Sequence, residues 1–184
     1  IKIDDLLIGD KNALVVAARV TGYGADYRTK VQCPACAAHG EYTFDLDSVE
    51  PTEVVIPPEV DRTQNGTFIA VTPRTKMQVE LKLLTGTDEK KLAKTVAFKK
   101  KKKLPESALT DQLRLMMVSV NGEKDPNMLN LFIASLPASD AKYLRELYSQ
   151  IMPNVDMKQE FECPSCGYEQ ELEVPFTTDF FWPK

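Results

Sequence analysis

One histidine, one tryptophan and eight glycines are all that 184 residues hold of those types. With His39 alone, the side chain best suited to proton transfer near neutral pH is almost missing. The motifs that frame enzyme sites are missing too: there is no Gly-rich phosphate loop, no HExxH, no Ser or Cys nucleophile with a histidine partner and no framed carboxylate pair. The chain therefore reads as a non-enzyme with no small-molecule substrate. No apolar run approaches the roughly 18 residues needed to cross a bilayer, so no membrane role is expected. The opening Ile1-Lys2-Ile3-Asp4-Asp5 lacks the regions of a signal peptide, and the absence of Met at position 1 implies residues upstream. Excess positive charge is also lacking: a net charge of -4 and a pI near 5.2 give no global attraction to nucleic acid.

What is present is a repeated turn. Cys33-Pro34-Ala35-Cys36 and Cys163-Pro164-Ser165-Cys166-Gly167 contain all four cysteines of the chain. A Cys-x2-Cys pair offers two thiolates on one tight turn, and two such pairs complete a tetrahedral Zn²⁺ with no open position. Each pair lies between alternating polar and apolar runs, 29–32 and 41–46 for the first, 159–162 and 169–174 for the second. This reads as strand, knuckle, strand, twice over. The expected fold class is α+β: a four-cysteine zinc ribbon built from two distant β-hairpin knuckles, with a β-hairpin and a helical insert between them. A thioredoxin-type redox pair would instead stand alone at a helix start. Paired knuckles in a chain without an export signal argue for a reduced compartment and structural Zn²⁺ over disulfides. His39, three residues after Cys36, reads as a knuckle-tip residue, since four thiolates already fill the coordination sphere.

As a single domain of 184 residues, the chain divides into the ribbon at 25–50 and 154–176, a β segment at 51–87, a helical insert at 88–153 and an aromatic tail at 175–184. Asp10 caps an amphipathic helix through Val20 with Leu14, Ala17 and Ala18 facing inward. A short strand is expected at Val54-Val55-Ile56. Asn65-Gly66 signals a hairpin, with alternating strands at 67–71 and 77–83. Beyond Thr85 the period becomes helical. Leu92 and Val96 mark a helix ending in Lys99–Lys103; Leu109, Leu113, Met116, Met117 and Val120 mark a second. Asp125-Pro126 opens a third, and Ala141, Leu144, Leu147, Tyr148 and Ile151 carry a fourth. Leu113, Met117, Phe132, Leu144 and Leu147 are the expected helical core.

The five lysines 99–103 read as a solvated helix end; the alternative is a zinc-ribbon nucleic-acid-binding protein that uses them on phosphate. The tail gathers Phe176, Phe180, Phe181, Trp182 and Pro183. Aromatics dominate interface hot spots, so Phe180, Phe181, Trp182 and Pro183 are expected to bind a partner, with packing onto the chain's own core as the competing reading.

The order of these motifs resembles a known family. Asp10 before a helix ending in Thr21-Gly22-Tyr23-Gly24, the first CPxC, Leu136-Pro137-Ala138-Ser139-Asp140-Ala141, Pro153-Asn154-Val155-Asp156, the second CPxCG and the closing Phe180-Phe181-Trp182-Pro183 are similar to T4-type bacteriophage baseplate proteins. These are described as hub or hub-assembly proteins of contractile-tailed phages. The resemblance implies a structural or assembly role without catalysis, with other baseplate and tail proteins as partners. It places the protein in the virion tail baseplate, and in the host cytoplasm during assembly. One departure is that Ala37-Ala38-His39-Gly40 follows Cys36 where Gly167 follows Cys166 directly.

Overall fold

The structure, a computed structural model, describes residues 2–103, 105, 107–176 and 178–182. In chain order the helices are α1 (Ile8–Tyr23), α2 (Gly86–Lys101), α3 (Ala108–Met116), α4 (Pro126–Ser135) and α5 (Ala138–Ile151). The strands are β1 (Asp26–Gln32), β2 (His39–Asp45), β3 (Glu50–Pro51), β4 (Asp61–Arg62), β5 (Phe68–Val71), β6 (Gln78–Leu81), β7 (Met117–Val120), β8 (Val155–Asp156), β9 (Lys158–Glu162) and β10 (Glu169–Glu173). The architecture is mixed α and β. The chain forms two compact units: a central unit from Ile1–Lys11 and Glu53–Pro153, and a cysteine unit from Asn12–Thr52 and Asn154–Lys184.

In the central unit β4, β5, β6 and β7 form an antiparallel sheet in that order. Alternation sets its faces: Phe68, Ala70, Val79 and Leu81 are buried, while Glu80 on the other face accepts from the Thr67 and Ser119 hydroxyls. Onto the buried face packs the stripe Leu144, Leu147, Tyr148 and Ile151 of α5, spaced i, i+3, i+4, i+7. Tyr148 is buried but not orphaned, because its hydroxyl accepts from Leu84 N–H at 2.9 Å; burial pushes its pKa up to about 12. Asp125 caps α4 through Asn127 and Met128 N–H, with Pro126 in the first turn. Thr85 and Asp88 form a capping box at α2.

Three expectations are corrected here. The helix through Leu109 and Val120 stops at Met116, and Met117–Val120 is a strand paired with β6. A sheet edge was waiting for a partner, and the β-branched Val118 and Val120 suit a pleated surface; Leu109 is 55% exposed. The run Val54–Ile56 forms no strand and is exposed, its Val55 N–H bonded to Gln150 O, since Pro57 and Pro58 offer no ladder donors. The helix α1 starts at Ile8, so Asp10 lies in its first turn and is not its cap, and its inward residues are Val16 and Arg19, not Leu14, Ala17 and Ala18. Arg19 stops the helix by donating to Gly24 O at 2.6 Å and Asp26 O at 2.9 Å, and carbonyls beyond a helix end are what an arginine fork can satisfy.

Asp140, in the first turn of α5, is fully buried. Its carboxylate accepts from Arg74 N–H at 2.9 Å, Thr75 N–H at 3.0 Å and Thr75 Oγ1 at 2.7 Å, which pins the β5–β6 turn to the helix. Burial alone would raise its pKa, but these bonds outweigh it and hold the group below its ordinary range. A depressed folded pKa means that the stabilisation is fully present above about pH 4 and is lost as pH falls through the lowered folded value. Asp140→Asn presents an N–H₂ to a donor, and should cost about 2–3 kcal/mol at neutral pH in urea unfolding. That deficit should shrink in acid; an unchanged deficit at low pH would show that the charge is irrelevant.

Candidate metal centre

The two knuckles are built alike. Strands β1 and β2 pair from Asp26↔Asp45 to Gln32↔His39, and β9 and β10 from Lys158↔Glu173 to Glu162↔Glu169. Each pairing closes on a Cys-x2-Cys turn. Cys33 N–H donates to Ala38 O and Ala37 N–H to Cys33 O, both at 2.9 Å; Cys163 N–H donates to Tyr168 O and Gly167 N–H to Cys163 O, also at 2.9 Å. The next strand starts three residues after Cys36, at His39, as it does after Cys166, at Glu169, so the two turns match in length, and Ala37 takes the left-handed backbone of Gly167, with φ of 57° against 68°. An alanine there carries steric strain that glycine does not. Ala37→Gly should be neutral or stabilising by up to about 1 kcal/mol and Gly167→Ala destabilising by about 1 kcal/mol, read from thermal unfolding; a marked loss on Ala37→Gly would contradict this backbone assignment.

Folding brings all four cysteines together. Their sulfurs lie within 4.8 Å of one another. Cys33 Sγ sits 3.8 Å from Cys166 Sγ, and Cys36 Sγ 3.8 Å from Cys163 Sγ. Disulfide sulfurs would be at about 2.05 Å; a tetrahedron with Zn–S bonds of about 2.3 Å has edges of about 3.8 Å. The donor set and its spacing thus fit a thiolate-bound divalent metal. Cys33 and Cys163 are buried with Phe161 under a cover of Val31, Tyr42 and Leu172, while Cys36 and Cys166 face outward. The Ser165 N–H, with that of Cys166, brings the Cys163 thiol down to about 7. At Cys166 the Tyr168 N–H also lowers the pKa, but neighbouring thiol groups, Cys36 foremost, outweigh it and push it up to about 12. Without a cation the cluster resists holding four negative charges; a metal removes that conflict. Among the described residues no other group of three or more His, Cys, Asp or Glu is placed to hold a metal.

The two hairpins are joined by more than sulfur. Tyr42 Oη donates to Glu160 O at 2.6 Å; the Gln159 amide donates to Asp45 O at 2.6 Å and accepts from Asp45 N–H at 3.0 Å. Sequence reasoning treated Tyr42 and Gln159 only as members of alternating runs. A bond across more than 100 residues leaves no local signal.

The tail divides. Phe180 is fully buried among Tyr27, Phe44, Leu46 and Val174, meeting Tyr27 edge-on at 5.0 Å. Phe181 packs against the same core, and Trp182 is 73% exposed; Pro183 lies outside the described residues. Phe180 is thus a root in its own unit, and the exposed aromatic surface of the tail falls to Trp182 and, less so, Phe176. The lysine run divides as well: Lys99 is tied to the buried Asp111 at 2.6 Å, beside Arg114, so it is a structural ion pair within the helices. Among the described residues no helix is long and apolar enough to cross a membrane.

Residues 1–182 match the family described as T4 bacteriophage base plate protein. No curated protein and no solved structure matches the chain.

Proposed function

The chain belongs to the T4 bacteriophage base plate protein family, and we propose that it is a structural or assembly component of a contractile tail baseplate whose cysteine unit is a zinc ribbon. In this reading Cys33, Cys36, Cys163 and Cys166 hold one structural Zn²⁺. Four thiolates leave no position for a substrate, so the ion closes the two hairpins on each other. Its partners are other baseplate and tail proteins, in the host cytoplasm during assembly and then in the virion tail. The observation that carries the reading is the convergence of the four sulfurs in a chain matched to this family along residues 1–182.

The tail is the contact through which the protein joins its neighbours. Phe180 fixes its root, so Trp182 is presented from an ordered segment and loses little freedom on docking. Trp182→Ala should leave the melting temperature unchanged, because the ring is exposed, and should weaken incorporation into baseplate assemblies by roughly 30-fold, the loss of a 2 kcal/mol hot spot. Unimpaired incorporation, or an unfolded variant, would overturn the anchor role.

A further inference from the structure

On the central unit, helices α3, α4 and α5 leave an open groove of about 260 Å³. Its walls are Leu109, Leu113, Ile133, Leu136 and Ala141, with Arg145 beside them. Leu109 is 55% exposed although its neighbours in the groove are core side chains, so its apolar face is unsatisfied. Arg145 is exposed, and its Nε makes one long bond, to Ala141 O at 3.3 Å. An apolar slot with a guanidinium beside it suits an aromatic ring with a negative π face. The chain itself displays such a ring: Trp182 is 73% exposed and meets Phe181 edge-on at 6.2 Å.

We propose that this groove receives the Phe181–Trp182 tail of a second copy of the chain, so that copies join head to tail. The inference rests on the tail being an anchor and names what it anchors to. Groove and tail are made of different residues, so the contact is heterologous: each copy gives a tail and receives one. Repetition of such a contact generates a ring if the rotation closes and an open chain if it does not. The indole enters between Leu109 and Ile133 and its face meets Arg145. One ring in one slot buries far less than a stable dimer needs, so the affinity is modest and assembly comes from repetition.

Trp182 is the only tryptophan in the chain, which makes the contact directly visible. The full metal-loaded chain is followed by tryptophan emission and by sedimentation from about 1 µM to about 500 µM, the range for a contact of this size. Emission should move to shorter wavelength as mass rises above the monomer, in step. Leu109→Glu and Arg145→Glu, both at exposed positions and checked for unchanged circular dichroism, should each abolish both changes. Mixing Leu109→Glu, which has a tail but a spoiled groove, with Trp182→Ala, which has a groove but no tryptophan, should restore the shift.

Three results would overturn the proposal: a monomer with unshifted emission at the highest concentration, a shift that survives both groove variants, or a blue-shifted monomer at every concentration. If self-association fails while Trp182→Ala still blocks incorporation, the anchor stands and its receptor is another baseplate protein. If self-association holds while Trp182→Ala incorporates normally, the anchor role in the baseplate fails instead.

Discussion

With zinc at the four cysteines as proposed, a strong chelator is expected to open the cysteine unit while the helices of the central unit stay folded. Coordination by a four-ligand structural site is worth on the order of 10 kcal/mol and is coupled to folding. The unit that carries it has little else. Among the described residues its main core is seven buried side chains, where the central unit has fifteen, and each knuckle stands on a two-stranded hairpin, which is marginal alone. Tyr42 and Gln159 join the hairpins, but a few exposed hydrogen bonds are worth about 1 kcal/mol each. Amides of β1, β2, β9 and β10 should therefore lose exchange protection on chelation, with helical circular dichroism largely kept. Cys163→Ser should give the same pattern without chelator. Early loss of the helical signal, or hairpin amides that stay protected after the metal has gone, would contradict this order.

The second large effect is expected at Leu144. Its side chain is fully buried where α5 crosses the sheet, in the cluster with Val79, Leu81, Leu113 and Met116. Leu144→Ala removes three heavy atoms from a close-packed site, and should cost about 2–5 kcal/mol depending on how far the cavity collapses. In a unit of this size that lowers the melting temperature by roughly 10 °C or more. Zinc content of the folded protein should not change. A loss well under 1 kcal/mol would place the stripe 144–151 outside the core and break the sheet-on-helix packing described above.

Different residues were legible in the sequence to different degrees, for physical reasons. The cysteines were fully readable, because two thiolates on one turn make a local pattern and the pattern occurs twice. Helices α4 and α5 were readable for the same local reason: Asp125-Pro126 is a cap and first turn, and Leu144, Leu147, Tyr148 and Ile151 keep one face over two turns. Met117–Val120 was not. Leu113, Met116, Met117 and Val120 satisfy helical spacing, and only the unpaired edge of β6 decides that the last four residues are a strand. Arg19 gave no signal at all, because nothing local shows that its acceptors are two carbonyls past the helix end. Asp140 stood inside a motif whose letters were noted, yet its role depends on a turn 65 residues earlier. Local chemistry is written in the sequence; partners supplied by tertiary folding are not.

The central claim is that four cysteines in a baseplate-family protein hold one structural zinc, and metal stoichiometry joined to thiol titration tests it most directly. Protein purified without added metal should carry one zinc per chain by native mass spectrometry, with its four thiols unreactive until a chelator is added and then all titratable. A folded, metal-free protein with four freely reactive thiols, or one with two intact disulfides, would contradict it.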